Sequence, residues 1–425
     1  MTKKLALLLS INIALFGCNK DSTSSTSKEL PKITTSSTTN ITSTSATSGG
    51  TIISNGNDSI TAFGICWANT QNPTTANFYS VDTSNSTFFT HNLNGLTRSK
   101  TYYVRAYATN NVGTAYGSQI TFKTDSTDHV YIAGNSEGRC VYWKDDVAIP
   151  ITNTGTFNFS EVYSITVANN DVYVAGFENN GSGFNEAKIW KNAVGATLAS
   201  LNSSAQAISV VNNDVYVAGV EASYSNYVIK VWKNGTPTTL SNPNNTADAR
   251  SIFVVNNDVY VGGYEYTGVT NTATIWKNGV PTRLYRFVPP YANEWSNVTS
   301  IYVVGNDVYA VGTARGDNVI WKNEVAAQIN ISPTSIFVVN NDIYIAGTVG
   351  NVASIWKNGV TTSLTNGMNQ AFANSVFVKD NDVYVVGSER QTGTINSIAK
   401  VWKNGVLTNL TNGNGTAEAN AIFVQ

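Results

Sequence analysis

Ser251-Ile252-Phe253-Val254-Val255-Asn256-Asn257-Asp258-Val259-Tyr260-Val261-Gly262-Gly263, followed by Ile275-Trp276-Lys277-Asn278-Gly279, is the stretch whose reading decides the fold. Asn256-Asn257 separates two apolar runs, and two asparagines between paired strands supply the positive φ values of a type I′ hairpin. Asn278-Gly279 makes a second hairpin behind the tryptophan. The stretch therefore reads as four strands: S-I-F-V-V, then D-V-Y-V-G-G, then A-T-I-W-K, then a short V-P-T-R-L. The second and third are near-continuous apolar runs, so both faces of the sheet must be buried.

The pattern recurs seven times, marked by Tyr131, Tyr173, Tyr216, Tyr260, Tyr309, Tyr344 and Tyr384 and by Trp143, Trp190, Trp232, Trp276, Trp321, Trp356 and Trp402. A repeat of about 35 to 50 residues built from short apolar runs reads as a closed ring of small sheets, a β-propeller. The first-hairpin slot holds Asn169-Asn170, Asn212-Asn213, Gly305-Asn306, Asn340-Asn341 and Asp380-Asn381 in other units. In three units the second slot departs from Asn-Gly, with Asp145-Asp146, Asn192-Ala193 and Asn323-Glu324, where a different turn type is expected. The first unit starts at His129-Val130-Tyr131 with no strand before it, and Ala421 to Gln425 is a first strand with nothing after it. One composite sheet made from both ends would leave no edge unpaired. The ring resembles the tandem W-K-N-G repeats of uncharacterised Bacteroidota β-propeller proteins, which implies an all-β fold and names no ligand.

Ahead of the ring, Lys3-Lys4, an apolar run from Leu5 to Phe16 and Gly17-Cys18 form a targeting segment too short for a permanent membrane span. Leu15-Phe16-Gly17-Cys18 resembles a bacterial lipobox, which implies lipidation of Cys18, a membrane partner through that lipid, and a cell outer-membrane, surface-exposed address. Residues 19–30 are rich in Ser and Thr and read as a flexible tether. Residues 31–124 show short alternating strands with turn clusters such as Asn55-Gly56-Asn57-Asp58, the pattern of a β-sandwich. Alternation places Tyr102, Val104, Ala106 and Ala108 on one face and Tyr103, Arg105 and Tyr107 on the other. The run from Leu93 to Gly113, with Tyr102 six residues after Leu96, resembles the late strands of a fibronectin type III domain. That resemblance makes Tyr102 the corner tyrosine and Gly64-Ile65-Cys66-Trp67 a core strand. The fold expected is all-β: a fibronectin type III-like β-sandwich, a linker at 125–127, and a seven-bladed β-propeller over 128–425 closed by the C-terminal strand.

Charged residues make up 12% of the chain and the net charge is -1, which argues against a nucleic-acid partner. Beyond Cys18, Cys66 and Cys140 fall in different domains and read as buried unpaired thiols. His91 and His129 are the only histidines, so no Ser/His/Asp set and no Cys/His metal cluster can be assembled, and no cofactor is expected. A monomer is expected.

Strand direction alternates within a unit, so the two short, repeated turns share one rim and the unequal loops share the other. Binding residues tend to lie on unequal loops. The candidates there are Phe177, Tyr224, Tyr227, Tyr264, Tyr266, Arg286, Phe287, Tyr291, Trp295 and Arg390, since aromatic rings among acids and amides grip sugars or peptide chains. Glu178, Glu221, Glu265 and Glu389 recur at one place, and Lys188, Lys230 and Lys400 accompany three of them, which reads as a cross-strand ion pair. Arg315-Gly316-Asp317 sits at an expected hairpin tip and is common by chance in such turns. The function expected is a surface-anchored, non-enzymatic binding or adhesion protein for a glycan or protein ligand. The sequence leaves open a carbohydrate-active enzyme using loop carboxylates, or a structural surface-layer component.

Overall fold

The computed structural model describes residues 27–84, 86–125, 128–152, 159–223, 226–266, 268–285 and 295–425, and within them every regular element is a β-strand. Cys18, Tyr224, Arg286, Phe287 and Tyr291 lie outside the described residues. The chain divides into two compact units between residues 126 and 127.

In the first unit, Lys32–Thr35, Ala46–Ser54 and Phe88–Leu93 form one antiparallel sheet. Ala62–Ala68 and Thr101–Thr109 centre a second sheet, joined by Phe78–Tyr79, Thr114–Tyr116 and Ile120–Lys123. Tyr102, Val104, Ala106 and Ala108 are all buried, sharing one core with Ile65, Phe89, Leu93 and Leu96. The Tyr102 hydroxyl accepts the Thr97 N–H at 3.0 Å. Cys66 and Cys140 are free and buried, and burial pushes their thiols up to about 11 and about 12.

The second unit is a propeller-like array of seven four-stranded antiparallel sheets. Sheet 1 combines Val130–Ser136, Arg139–Lys144 and Val147–Pro150 with the C-terminal strand Ala417–Val424. The first strands of sheets 2 to 7 are Ser160–Ala168, Ser203–Val211, Ala247–Val255, Ser296–Val304, Ser332–Val339 and Ala371–Lys379. Each packs against the first strands on either side, and Ala417–Val424 packs against those of sheets 7 and 2, so the contacts return to their start. The closing strand is longer than the five residues read from sequence, because the ladder begins at Ala417 opposite Ser136. It continues past Val424 through reciprocal backbone bonds between His129 and Gln425 at 3.0 and 3.1 Å.

The repeated aromatics fill the interfaces between sheets. The tyrosine of one sheet and the tryptophan of the next share one buried cluster: Tyr131 with Trp190, Tyr216 with Trp276, Tyr260 with Trp321, Tyr309 with Trp356 and Tyr344 with Trp402. Tyr173 packs against the cluster of Trp232, and Tyr384 returns to Trp143 of sheet 1. Removing a side chain of this size from a core costs about 3–5 kcal/mol.

The second-slot turns correct one expectation. Asp145-Asp146, Asn192-Ala193 and Asn323-Glu324 keep the left-handed conformation at both positions, with φ between 48° and 70°. The departures from Asn-Gly therefore change the residue and leave the turn intact. Ala193 and Glu324 carry a Cβ where glycine is favoured, at a cost of about 1–2 kcal/mol offset in part by glycine's greater chain entropy. Ala193→Gly and Glu324→Gly should each raise stability by about 0.5–1 kcal/mol in denaturant melts.

Deleting residues 417–425 should abolish the cooperative calorimetric transition of the second unit or make it aggregate. The first strand of sheet 1 would be lost with Ile422 and Val424, and each backbone group left buried without a partner costs about 1–3 kcal/mol. An unchanged melt after this deletion would show that the C-terminal strand does not close the ring.

Candidate functional site

One rim is bolted together by a repeated polar clasp. The aspartate opening each second strand meets the lysine of W-K at 2.6–2.7 Å in sheets 2 to 7, from Asp171–Lys191 round to Asp382–Lys403. The asparagine after that lysine donates to the same carboxylate at 2.7–2.8 Å and accepts the next backbone N–H at 2.8–2.9 Å. The lysine also lies 4.8–5.3 Å above the repeat tyrosine ring. In sheet 1 the acid and its partner change strands: His129 stands where the aspartate would be, and Asp145 where the asparagine would be. Their side chains meet at 2.7 Å, and Asp145 accepts the Val130 N–H at 2.9 Å.

The opposite rim holds the candidates, and the structure sorts them into two groups. Phe177 is a correction: it is only 4% exposed, packed on Phe159 and Tyr163, so it supports neighbours and is closed to a ligand. Trp295 is 63% exposed, and its carbonyl accepts the N–H of Arg315 at the Arg315-Gly316 hairpin tip at 2.9 Å. Tyr227 and Tyr266 are exposed on outer loops. Arg390 instead lines the axial cavity, and Tyr264, in register with Asp248, is bonded to Arg250. Glu178, Glu221 and Glu389 pair with Lys188, Lys230 and Lys400 at 3.1, 3.3 and 2.8 Å, as expected. Glu265, which has no such lysine, is buried against Arg283 at 3.5 Å.

The axial cavity is the feature that sequence reading missed. In all seven first strands the ladder skips one residue at the same place: Tyr163, Gln206, Arg250, Thr299, Thr334, Asn374 and Asn420. A bulge of this kind re-aims the extra side chain. All seven line the axis, around an opening of about 650 Å³ on the variable side and a second space of about 180 Å³ that also touches Ser164, Ser251 and Ser300. The repeat glycine sits opposite the bulge. A Cβ on Gly263 would stand 1.9 Å from the Asp248 carbonyl oxygen, and the same clash recurs at the equivalent glycine of every sheet. Further along the axis, Phe253, Tyr302, Phe337, Phe377 and Phe423 form a chain of ring contacts 4.8–5.2 Å apart, with burial pushing the Tyr302 phenol up to about 12.

The seven bulge side chains make two kinds of bond. Thr299, Thr334, Asn374 and Asn420 donate to Pro333, Ala373, Ala419 and Val162 carbonyls of the next first strand at 3.1, 2.6, 2.9 and 2.9 Å, stitching the ring. Tyr163, Gln206 and Arg250, on three consecutive sheets, make no such stitch: they bond to Glu161 at 2.5 Å, Ser204 at 2.7 Å and Asp248 at 2.6 Å of their own strands, and Arg250 also to Tyr264 on the second strand of its sheet. Burial raises Asp248, against the opposing pull of Arg250. Glu418 is open to cavity water yet hemmed in by protein, and desolvation followed by repulsion from Glu161 raises it, with Arg390 opposing. Among the described residues no group of three His, Cys, Asp or Glu side chains is placed to hold a metal ion. The one readable signal for this site is the unrepeated residue just before S-I in an otherwise repeated strand.

No protein-family model matches the chain, and no curated protein matches it. Among solved structures, a quinonprotein alcohol dehydrogenase-like protein from Bacteroides thetaiotaomicron is similar over 92% of this chain and 98% of its own, at 12% identity and a TM-score of 0.42. TolB from Acinetobacter baumannii is similar over 76% and 79%, at 9% identity and a TM-score of 0.40. Likenesses this distant carry no argument about activity.

The clasp predicts an acid limb. Asp171, Asp214, Asp258, Asp307 and Asp342 are held below the ordinary carboxylate range, first by the lysine hydrogen bond and then by the asparagine. Folding favours their charged form, so this stabilisation is complete above the unfolded value of about 3.9 and is lost as pH falls through the depressed folded values. Asp248 and Glu418 are raised and act in the opposite sense. Against its burial, Glu389 is lowered too by its bonds to Lys400 and Asn369; with six groups against two, the melting temperature of the second unit should fall below about pH 4, as followed by circular dichroism at stepped pH.

Proposed function

We propose that this chain is a lipid-anchored surface protein that binds a glycan or protein ligand on the variable side of a seven-bladed propeller. In this reading Cys18 carries the lipid at the outer membrane, residues 19–30 are the tether, and residues 31–124 are a fibronectin type III-like stalk. The Tyr102 hydroxyl bonded to the Thr97 backbone five residues upstream supports the stalk assignment, because that bond pins the strand corner. The seven four-stranded sheets support the blade count.

The observation that carries the binding role is the contrast between the rims. One is fastened by the Asp–Lys–Asn clasp in sheets 2 to 7 and by His129–Asp145 in sheet 1, while the other opens on a polar cavity surrounded by unequal loops bearing Tyr227, Tyr266 and Trp295. A protein stabilised on one side and varied on the other is built to present the varied side. The rival reading, glycoside hydrolysis by paired carboxylates, draws on Glu418 held above its ordinary range beside Glu161.

Cys18→Ser should abolish lipid labelling and release the protein from membranes, since the lipid is the only apolar anchor in this reading. On glycan and peptide arrays, Trp295→Ala should weaken binding by about 1–3 kcal/mol, while Val406→Ser on an outer strand should leave it unchanged. Equal losses from both would indicate general destabilisation and overturn the rim reading. Release of reducing sugar from a bound glycan would favour the hydrolase.

A further inference from the structure

We infer that the axial opening is a saccharide site distinct from the rim aromatics, taking a neutral sugar ring held by Tyr163, Gln206 and Arg250. The inference rests on the binding role proposed above and names the place and the ligand class.

Three observations carry it. First, the seven bulge positions are architecturally equivalent, and four of them are consumed in stitching one first strand to the next. The other three bear the largest side chains of the set, line the cavity and make no bond to the next first strand. Ring closure does not require a tyrosine, a glutamine and an arginine there, since threonine and asparagine serve elsewhere in the same ring.

Second, the lining offers both donors and acceptors: the Arg250 guanidinium, the Gln206 and Asn297 amides, and Ser388. A sugar hydroxyl donates and accepts at once, so it is matched by a wall carrying both. Asp248 holds the Arg250 guanidinium at 2.6 Å and so orients it at the opening. Third, charge is of both signs, with Arg250 and Arg390 against Glu418 in the lining and Asp248 paired to Arg250. A phosphorylated ligand would meet those acids, and a cationic peptide would meet both guanidiniums. Tyr163 and Phe372 stand on the two first strands flanking Ala417–Val424, and both line the opening as the flat apolar surfaces on which the C–H face of a sugar packs. The opening of about 650 Å³ is within the range of small-molecule sites.

The test is titration calorimetry of the full chain in detergent with glucose, galactose, mannose, N-acetylglucosamine and their disaccharides, with inorganic phosphate and a lysine-rich peptide as comparators. At least one saccharide should bind. Arg250→Ala should weaken it by about tenfold or more, as expected for a hydrogen bond from a charged group, and Gln206→Ala by about threefold to tenfold. Gln206→Ala guards against misfolding, because its only hydrogen-bond partner among the described residues is Ser204 of the same strand; its melt should match the parent. Val406→Ser, on an outer strand, should leave this affinity within about twofold. Saccharide binding lost with Trp295→Ala and untouched by Arg250→Ala and Gln206→Ala would overturn the axial site while sustaining the rim. Binding of phosphate or peptide in place of every saccharide would overturn the ligand class, and no binding of any saccharide would overturn the inference.

Discussion

A carbonyl that lies where a Cβ would be governs the design of this ring. Opposite each repeat glycine the first strand bulges, and its backbone oxygen comes within about 2 Å of the position a Cβ would take on Gly176, Gly219 or Gly312. Glycine is therefore required in the second strand at that place. The bulge it permits bends the first strand and swings one side chain per sheet onto the axis. The glycine and the axial residue are two sides of one constraint, although the first is repeated and the second varies.

The constraint works only because the ring is closed. An open array would leave the first strand of one sheet as an exposed edge, and its bulge side chain would face water with no neighbouring strand to bond. Here Asn420, on the C-terminal strand, donates to Val162 of sheet 2, and Asn374 of sheet 7 donates to Ala419, so the stitching passes through the composite sheet on both sides. The clasp shows the same continuity. His129 and Asp145 reverse the placing of acid and partner in sheet 1 yet restore the bond to the next backbone N–H. No hairpin joins the first and second strands of sheet 1, so the exchanged pair and the reciprocal His129–Gln425 backbone bonds hold that corner.

Division of labour between the rims follows. Side chains that must hold turns are spent on the clasp side, where Ala193 and Glu324 tolerate left-handed φ because their preceding asparagine is bonded to Asp171 or Asp307. Freed from that duty, the other side varies in loop length and carries Trp295 and Tyr266 outward and Arg390 inward. Phe177, which belongs to the same set by sequence position, is buried because its cross-strand partner Glu161 and its ring neighbour Tyr163 draw it into the interface. Position in the repeat sets where a side chain starts, and its neighbours across the ladder set where it ends.

Local chemistry was enough to read the elements from sequence. Asn-Asn and Asn-Gly pairs specify tight hairpins through their own φ preferences, alternation in Thr101–Thr109 specifies which face is core, and seven tyrosines and tryptophans specify equivalent units. The pairing of Lys188, Lys230 and Lys400 with their glutamates was legible for the same reason, since register places them side by side. The axial ring was not legible, because its seven residues are spread over the whole second unit and are of five different types. Only closure brings Tyr163, Gln206 and Arg250 around one opening with Asn420. Chain-local preferences fix strands and turns, while a site built from one residue per sheet exists only when hydrogen bonds between distant strands have closed the ring.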